Sequence, residues 1–323
     1  VTGIDWHNQQ NYIRAELPTS EASALINQLS VQHRLRHATR NPLILRGVVE
    51  LRTEVSSIAN AFIIYRAIVK AYEAESSRQA ALNAAPMYGL HTSYLEAIAW
   101  KLNFDGAIAL EVSDARSIIA AEVRALQANN QISTLVEPAD VLQELCDHHL
   151  LFQEQGLVRF AHQRFQEYFS AFRYLSLLGI TQGAAPTADL IEPLNWPFWE
   201  DSLLLVAGQL STEPTASTAR LTLMRAAVIV DLHFACALVA ASKFHRQDGA
   251  PVFDELVSAV NTLVHSTNTD VMDFALSCMI DSTLPDFSNE LWHHLEHEDR
   301  QHRLNFHRLG QNPVSIHQLG TNA

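Results

Sequence analysis

Cysteine, basic charge and uninterrupted apolar runs are all scarce in this chain. Its three cysteines, Cys146, Cys236 and Cys278, stand far apart in 323 residues. None forms a CxxC pair, which points to a reduced, intracellular and cytoplasmic protein. Lys and Arg number 22 against 35 Asp and Glu, a formal charge of −13. That balance argues against broad binding to nucleic acid or to anionic membranes. The longest apolar stretch, residues 224–242, is interrupted by Arg225, Asp231 and His233. It reads as two buried helices rather than a membrane span. No glycine is followed by lysine anywhere, so the GxxxxGK[ST] loop that cradles nucleotide phosphates is missing. There is no Ser–His–Asp signature or Cys–His motif to recommend a hydrolase, and no secretory signal. The chain opens on Val1 without an initiator Met, as a piece cut from something longer would.

What is present describes a folded, mainly α-helical protein large enough for two or three domains: 48% hydrophobic and 18% charged residues. Residues 1–17 mix polar and aromatic side chains and carry no clear period. Pro18-Thr19-Ser20-Glu21 reads as a helix start, with Leu25, Ile26 and Leu29 on its buried face. A short helix is expected over 31–39. Pro42 suits the first turn of the next one, because its missing N–H has no partner there anyway. Ser56 or Ser57 should cap a longer helix through Phe62, Tyr65, Ile68 and Tyr72. Ala84-Ala85-Pro86 breaks the pattern. Three helices follow, capped by Thr92 or Ser93, by Asp114, and opened by Pro138.

Residues 150–178, LLFQEQGLVRFAHQRFQEYFSAFRYLSLL, organise what surrounds them. Leu150-Leu151-Phe152 and Leu157-Val158-Arg159-Phe160 alternate as two strands, with Gly156 supplying the positive φ of a short reversal. At His162 the period changes to 3.6, and Phe165, Tyr168, Phe169, Phe172 and Leu175 form an aromatic stripe. Three helices followed by a β-hairpin is the order of a winged helix. From 191 onward, alanine-rich helices recur. DSLLLVAGQL, DLHFACALVA and DVMDFALSCM, beginning at 201, 231 and 270, suit HEAT-like helix pairs.

These residues carry a family resemblance. FAHQRFQEYFSAF (160–172) resembles the motif that closes the winged-helix domain of NACHT-type NTPases, members of the signal-transducing STAND class. RNPLILRGVVEL (40–51) is similar to the helix that follows that family's nucleotide-binding core. NWPFWEDSLLLVAGQL (195–210) is similar to the first helices of its C-terminal region. The resemblance implies a helical domain over 1–85, a winged helix over 86–178 and a HEAT-like repeat region over 179–323. It also implies two nucleotide-contacting residues: His162 on the β-phosphate of ADP, holding a closed inactive state, and Pro42 on the adenine. ADP or ATP with Mg belongs to the intact parent, and no cofactor is expected for this chain alone. Without a P-loop the chain should not hydrolyse ATP. The implied partners are an upstream NTPase core and effector domain, a protein or ligand sensed by the repeats, and further copies of the parent on activation.

Other readings stand beside this one. A histidine next to a hairpin is commonly structural, Pro42 is explained as a first-turn proline, and the aromatic stripe is core packing. A winged helix invites a DNA reading, but residues 137–147 carry four carboxylates and no Lys or Arg where a recognition helix should be basic. His293 and His297 share a helix face as metal ligands can, yet His297-Glu298 lacks the rest of an HExxH site. The alternative to a nucleotide switch is a non-enzymatic α-solenoid scaffold for protein–protein interaction.

Overall fold

The computed structural model describes residues 3–31, 36, 39–50, 61–74, 76–148, 150–181 and 185–297. Among them the fold is mainly helical, with one three-stranded antiparallel sheet. No helix among the described residues is long and apolar enough to cross a membrane. The helix expected over 31–39 and the Ser56 or Ser57 cap lie wholly or mostly outside the described residues.

The chain order is α1 (Trp6–Glu16), α2 (Thr19–Val31), α3 (Pro42–Glu50), α4 (Ala61–Glu73), α5 (Ser76–Asn83) and α6 (His91–Phe104). Then come β1 (Leu110–Glu111), α7 (Val112–Ala128), α8 (Pro138–Asp147), β2 (Leu151–Glu154), β3 (Leu157–Phe160) and α9 (Gln163–Thr181). After a short α10 (Ala188–Ile191) follow α11 (Glu200–Leu210), α12 (Ser217–Val230), α13 (Leu232–Ser242), α14 (Ala250–Val264), α15 (Thr269–Ser282) and α16 (Ser288–His297). Two compact units emerge. One comprises Phe62–Ile180 with Trp196–Val206; the other comprises Val1–Ala61, Thr181–Asn195 and Ala207–Ala323.

In the second of these units, the patternless N-terminus is a helix after all. Asp5 caps α1 by accepting from the Asn8 N–H at 2.8 Å. The buried Gln9 donates to the Ile4 carbonyl at 2.8 Å and accepts from the Thr39 hydroxyl at 2.9 Å. A buried amide satisfied at both ends replaces the apolar residue that a sequence period would look for. Further along, α13 and α15 end alike. Ser242 and Ser282 are buried, Lys243 and Thr283 take left-handed φ values of 52° and 54°, and Phe244 and Leu284 turn inward. A 3-10 turn and a new helix follow each time. Such a left-handed residue satisfies helix-terminal carbonyls and reverses the chain. Arg220 on α12 is buried. It reaches Asp248 at 2.7 Å and the carbonyls of Leu210 and Glu213 at 2.9 and 3.1 Å, so its charge is both paired and hydrogen-bonded.

The other unit holds the sheet, in the order β1-β3-β2. β2 and β3 pair Leu151 with Phe160 through to Glu154 with Leu157, and β1 pairs Leu110 with Val158 on the far edge of β3. Helices α6, α7 and α8 pack in succession beside this sheet. Two expected caps are corrected here. Helix α6 starts at His91 behind Leu90, not after Thr92 or Ser93, and α7 starts at Val112 behind Glu111, not after Asp114. In α7 the chain passes from strand β1 straight into the helix, so Glu111 already holds the extended conformation that a cap requires.

Candidate functional site

Residues 150–165 build a rigid junction. The hairpin reverses through Gln155 and Gly156, at φ 52° and 81°, a pair of positive values that matches the right-handed twist of the strands it joins. Beyond the last strand pair the Ala161 N–H donates to the Leu150 carbonyl at 3.2 Å, and the Phe165 N–H donates to the His162 carbonyl at 2.9 Å. His162 is thus pinned where the hairpin ends and α9 begins.

The imidazole is half-buried and meets the Phe165 ring edge-on, with centroids 6.4 Å apart. Burial, and then the nearby Arg164 charge, push its pKa below the usual histidine value. The neutral ring is therefore the dominant form near pH 7. Its Nδ1 accepts, at 3.4 Å, from the backbone N–H of Arg164. That bond leaves the proton on Nε2, as a donor suited to an anionic oxygen. The surroundings favour the neutral ring over the imidazolium.

Arg164 points away from this role. Its guanidinium holds Glu167 and Asp201, each at 2.5 Å. Burial acts against its charge, but the two carboxylates hold the pKa above the ordinary arginine range. Burial pushes Glu167 up to about 7, with Arg164 opposing. Below this clamp lies a buried polar network. Asn103 on α6 donates to Ser170 Oγ at 2.8 Å and to Ser202 Oγ at 3.0 Å, and it accepts from Gln166 at 2.7 Å. Gln166 also donates to the Ala107 carbonyl at 3.1 Å, and Ser170 to the Gln166 carbonyl at 2.6 Å.

The helix carrying His162 is therefore not simply amphipathic. Residues 165–171 are all buried, polar members included. Phe169 stacks on Phe160 at 5.9 Å, and Tyr168 and Phe172 meet Phe62 of α4 at 5.3 and 5.2 Å. On the α11 side, Trp199 is fully buried between Trp100 at 4.7 Å and Phe104 at 5.4 Å, with Tyr174 at 6.5 Å. Nothing in the residue pattern marks Arg164, Asn103, Asp201 or Ser202. The one available signal is Gln166-Glu167 set inside an aromatic stripe, which demands buried partners.

Pro42 lies in the other unit, at the first position of α3, and is exposed. The acidic helix α8 shows Glu137, Asp140 and Asp147 to solvent. Its Glu144 pairs with His148 at 3.2 Å. Among the described residues no group of three His, Cys, Asp or Glu could hold a metal ion. His294 lies 3.4 Å from Glu290, while the His297 side chain lies outside the described residues. No protein-family model matches the chain, and no curated protein matches it either.

Proposed function

We propose that this chain is the regulatory and sensor part of a cytoplasmic NACHT-type STAND NTPase, an ADP/ATP-controlled switch in signalling or defence. The observation that carries the reading is the place of His162, held at the hairpin–helix junction of the FAHQRFQEYFSAF motif with its Nδ1 accepting from the Arg164 N–H. In this reading α6, β1, α7, α8, β2 and β3 are a winged helix. The order helix, strand, two helices and hairpin supports it, as does a sheet with the last strand in the middle. The matching ends of α13 and α15 support HEAT-like repeats after it. The residues fit the role: His162 would donate to a phosphate oxygen of ADP held by an upstream core. Pro42, exposed at a helix start, would pack on the adenine. An activating ligand sensed by the repeats would release that contact and let protomers assemble, a two-state interface biased from a distance.

Two experiments decide it. The coding sequence upstream of Val1 should encode a P-loop and an acidic strand that holds Mg; without them the chain falls to the second reading, a non-enzymatic helical scaffold. In the complete protein, His162→Ala should lower the ADP that co-purifies and cause partial constitutive activation. Wild-type ADP content in that variant refutes the role given to His162.

A further inference from the structure

Helices α13 and α15 pack side by side, and one imidazole joins them. His233 lies in the first turn of α13, and its Nε2 reaches Asp281 Oδ2 at 2.9 Å and Ser277 Oγ at 3.0 Å. Ser277 and Asp281 are four residues apart, so they share one face of α15, and a single nitrogen ties two of its turns to α13. An ionised carboxylate can only accept, so in this geometry Nε2 carries a proton. The Phe274 ring packs against the imidazole, with centroids 5.9 Å apart. The site is open to water, with 41% of the His233 side chain and 40% of Asp281 exposed, so its proton exchanges with bulk solvent. We propose that His233 is a pH-sensitive pin across this seam: as an imidazolium it holds α15 to α13, and as the ring loses its proton with rising pH the helix pair opens more readily.

The surroundings give the sign of the effect. Asp281 and Cys278 face the ring from α15 and Asp231 faces it from α13; among the described residues these are the charged or titratable groups that act on it. The hydrogen bond to Asp281 is the largest influence, outweighs burial, and holds the imidazole pKa above its ordinary value of 6.5. Asp231, whose carboxylate caps α13 by accepting from the Phe234 N–H at 3.0 Å, adds least. The helix dipoles oppose one another here, since the ring sits at the positive start of α13 and against the negative end of α15. A folded-state pKa above the unfolded one means that the pin contributes fully below about 6.5 and is lost as pH rises through the folded value. The neutral ring can keep a hydrogen bond from Nε2 to Asp281 but loses the charge, so the seam weakens without coming apart. A pair this exposed is worth a factor of about 1.5 to 5 in an opening equilibrium. The pin lies wholly in the unit without His162 and involves no nucleotide. For the repeats proposed above as a sensor, it makes pH a second input.

The test uses the whole chain under native conditions. NMR follows the ring C–H signals of its 16 histidines with pH, and His233→Gln identifies the one that disappears. His233 should titrate above 6.5, and Asp281→Asn should lower its midpoint. Amide exchange on peptides from 232–242 and 269–282, corrected for the intrinsic rate, reads the seam itself. Between about pH 6 and about pH 8.5, opening should rise about 1.5- to 5-fold more in wild type than in His233→Gln. If His233→Gln unfolds, Asp281→Asn supplies the same comparison. A His233 midpoint at or below 6.5, or an equal rise in wild type and variant, overturns the proposal.

Discussion

Asn103→Ala is the most informative single change in the unit that carries His162. The side chain is 2% exposed and makes three hydrogen bonds, two donated to serine hydroxyls and one accepted from Gln166. After truncation Ser170 keeps its bond to the Gln166 carbonyl, and Gln166 keeps the Ala107 carbonyl. Ser202 keeps only a 3.3 Å contact with Ser170. A net bond is worth about 1 kcal/mol, and a buried group left short of a partner costs about 1–3 kcal/mol. The expected loss is about 2–4 kcal/mol. At about 1.4 kcal/mol per factor of ten, local opening should rise about 30- to 700-fold. Amide hydrogen exchange read on peptides from 163–180 and 200–206 measures this without assuming that the whole chain unfolds in one step. Ser202→Ala closes a double-mutant cycle with an expected coupling of about 0.5–3 kcal/mol. A change below about fivefold in Asn103→Ala, or strict additivity of the pair, refutes the view that this network fixes α9 against α6 and α11.

Two further outcomes follow from the same unit. Gln155 sits exposed at φ 52°, where a side chain other than Asn or Gly carries strain, so Gln155→Asn should raise the melting temperature by roughly 1–3 °C; no rise, or a fall, in a calorimetric scan contradicts the turn assignment. Glu96 is pushed up to about 7 from its ordinary 4.5, first by burial, with Arg173 opposing and Glu122 adding. Between those values the folded state binds the extra proton, so this contribution is complete below about 4.5 and is lost as pH rises through about 7. Urea midpoints of Glu96→Gln should fall less than those of the wild type between about pH 5 and pH 8. The slope flattens without disappearing, because Glu167 shifts in the same direction.

What could be read in the sequence was local. The hairpin, the proline at the start of α8 and the change of period at His162 are each fixed by neighbours a few residues apart, and the helices from α11 to α16 announce themselves by length and apolar spacing. The misreadings have a common cause. Strand β1 is two residues long, too short to alternate, and exists because the free edge of β3 offers it partners. Thr92 and Ser93 look like caps but fall inside the first turn, since burial of Tyr94 and Leu95 sets where α6 begins. The candidate site divides the same way. His162 was legible because its own neighbours hold it. Its supporting residues were not: Asp201 lies 37 residues from Arg164, and Ser202 lies 99 from Asn103.

The tautomer of His162 sharpens what the proposed switch must do. Burial and Arg164 disfavour the imidazolium, so above neutral pH the ring can offer a phosphate only an uncharged Nε2–H. An anion brought against it favours the charged form, so nucleotide binding takes up a proton and should strengthen as pH falls. The donor and the charge can be separated. In the complete protein, His162→Gln keeps an N–H donor that does not titrate, whereas His162→Ala has neither. ADP retention in His162→Gln should stay near wild type at about pH 8 and miss the gain that wild type shows at about pH 6. The alanine variant should be weak at both. Removing one hydrogen bond to a charged group costs about 1.5–3 kcal/mol, roughly 10- to 150-fold in affinity. If glutamine and alanine behave alike at both pH values, His162 does not act as a hydrogen-bond donor, and its place at the junction is explained by packing on Phe165 and the start of α9.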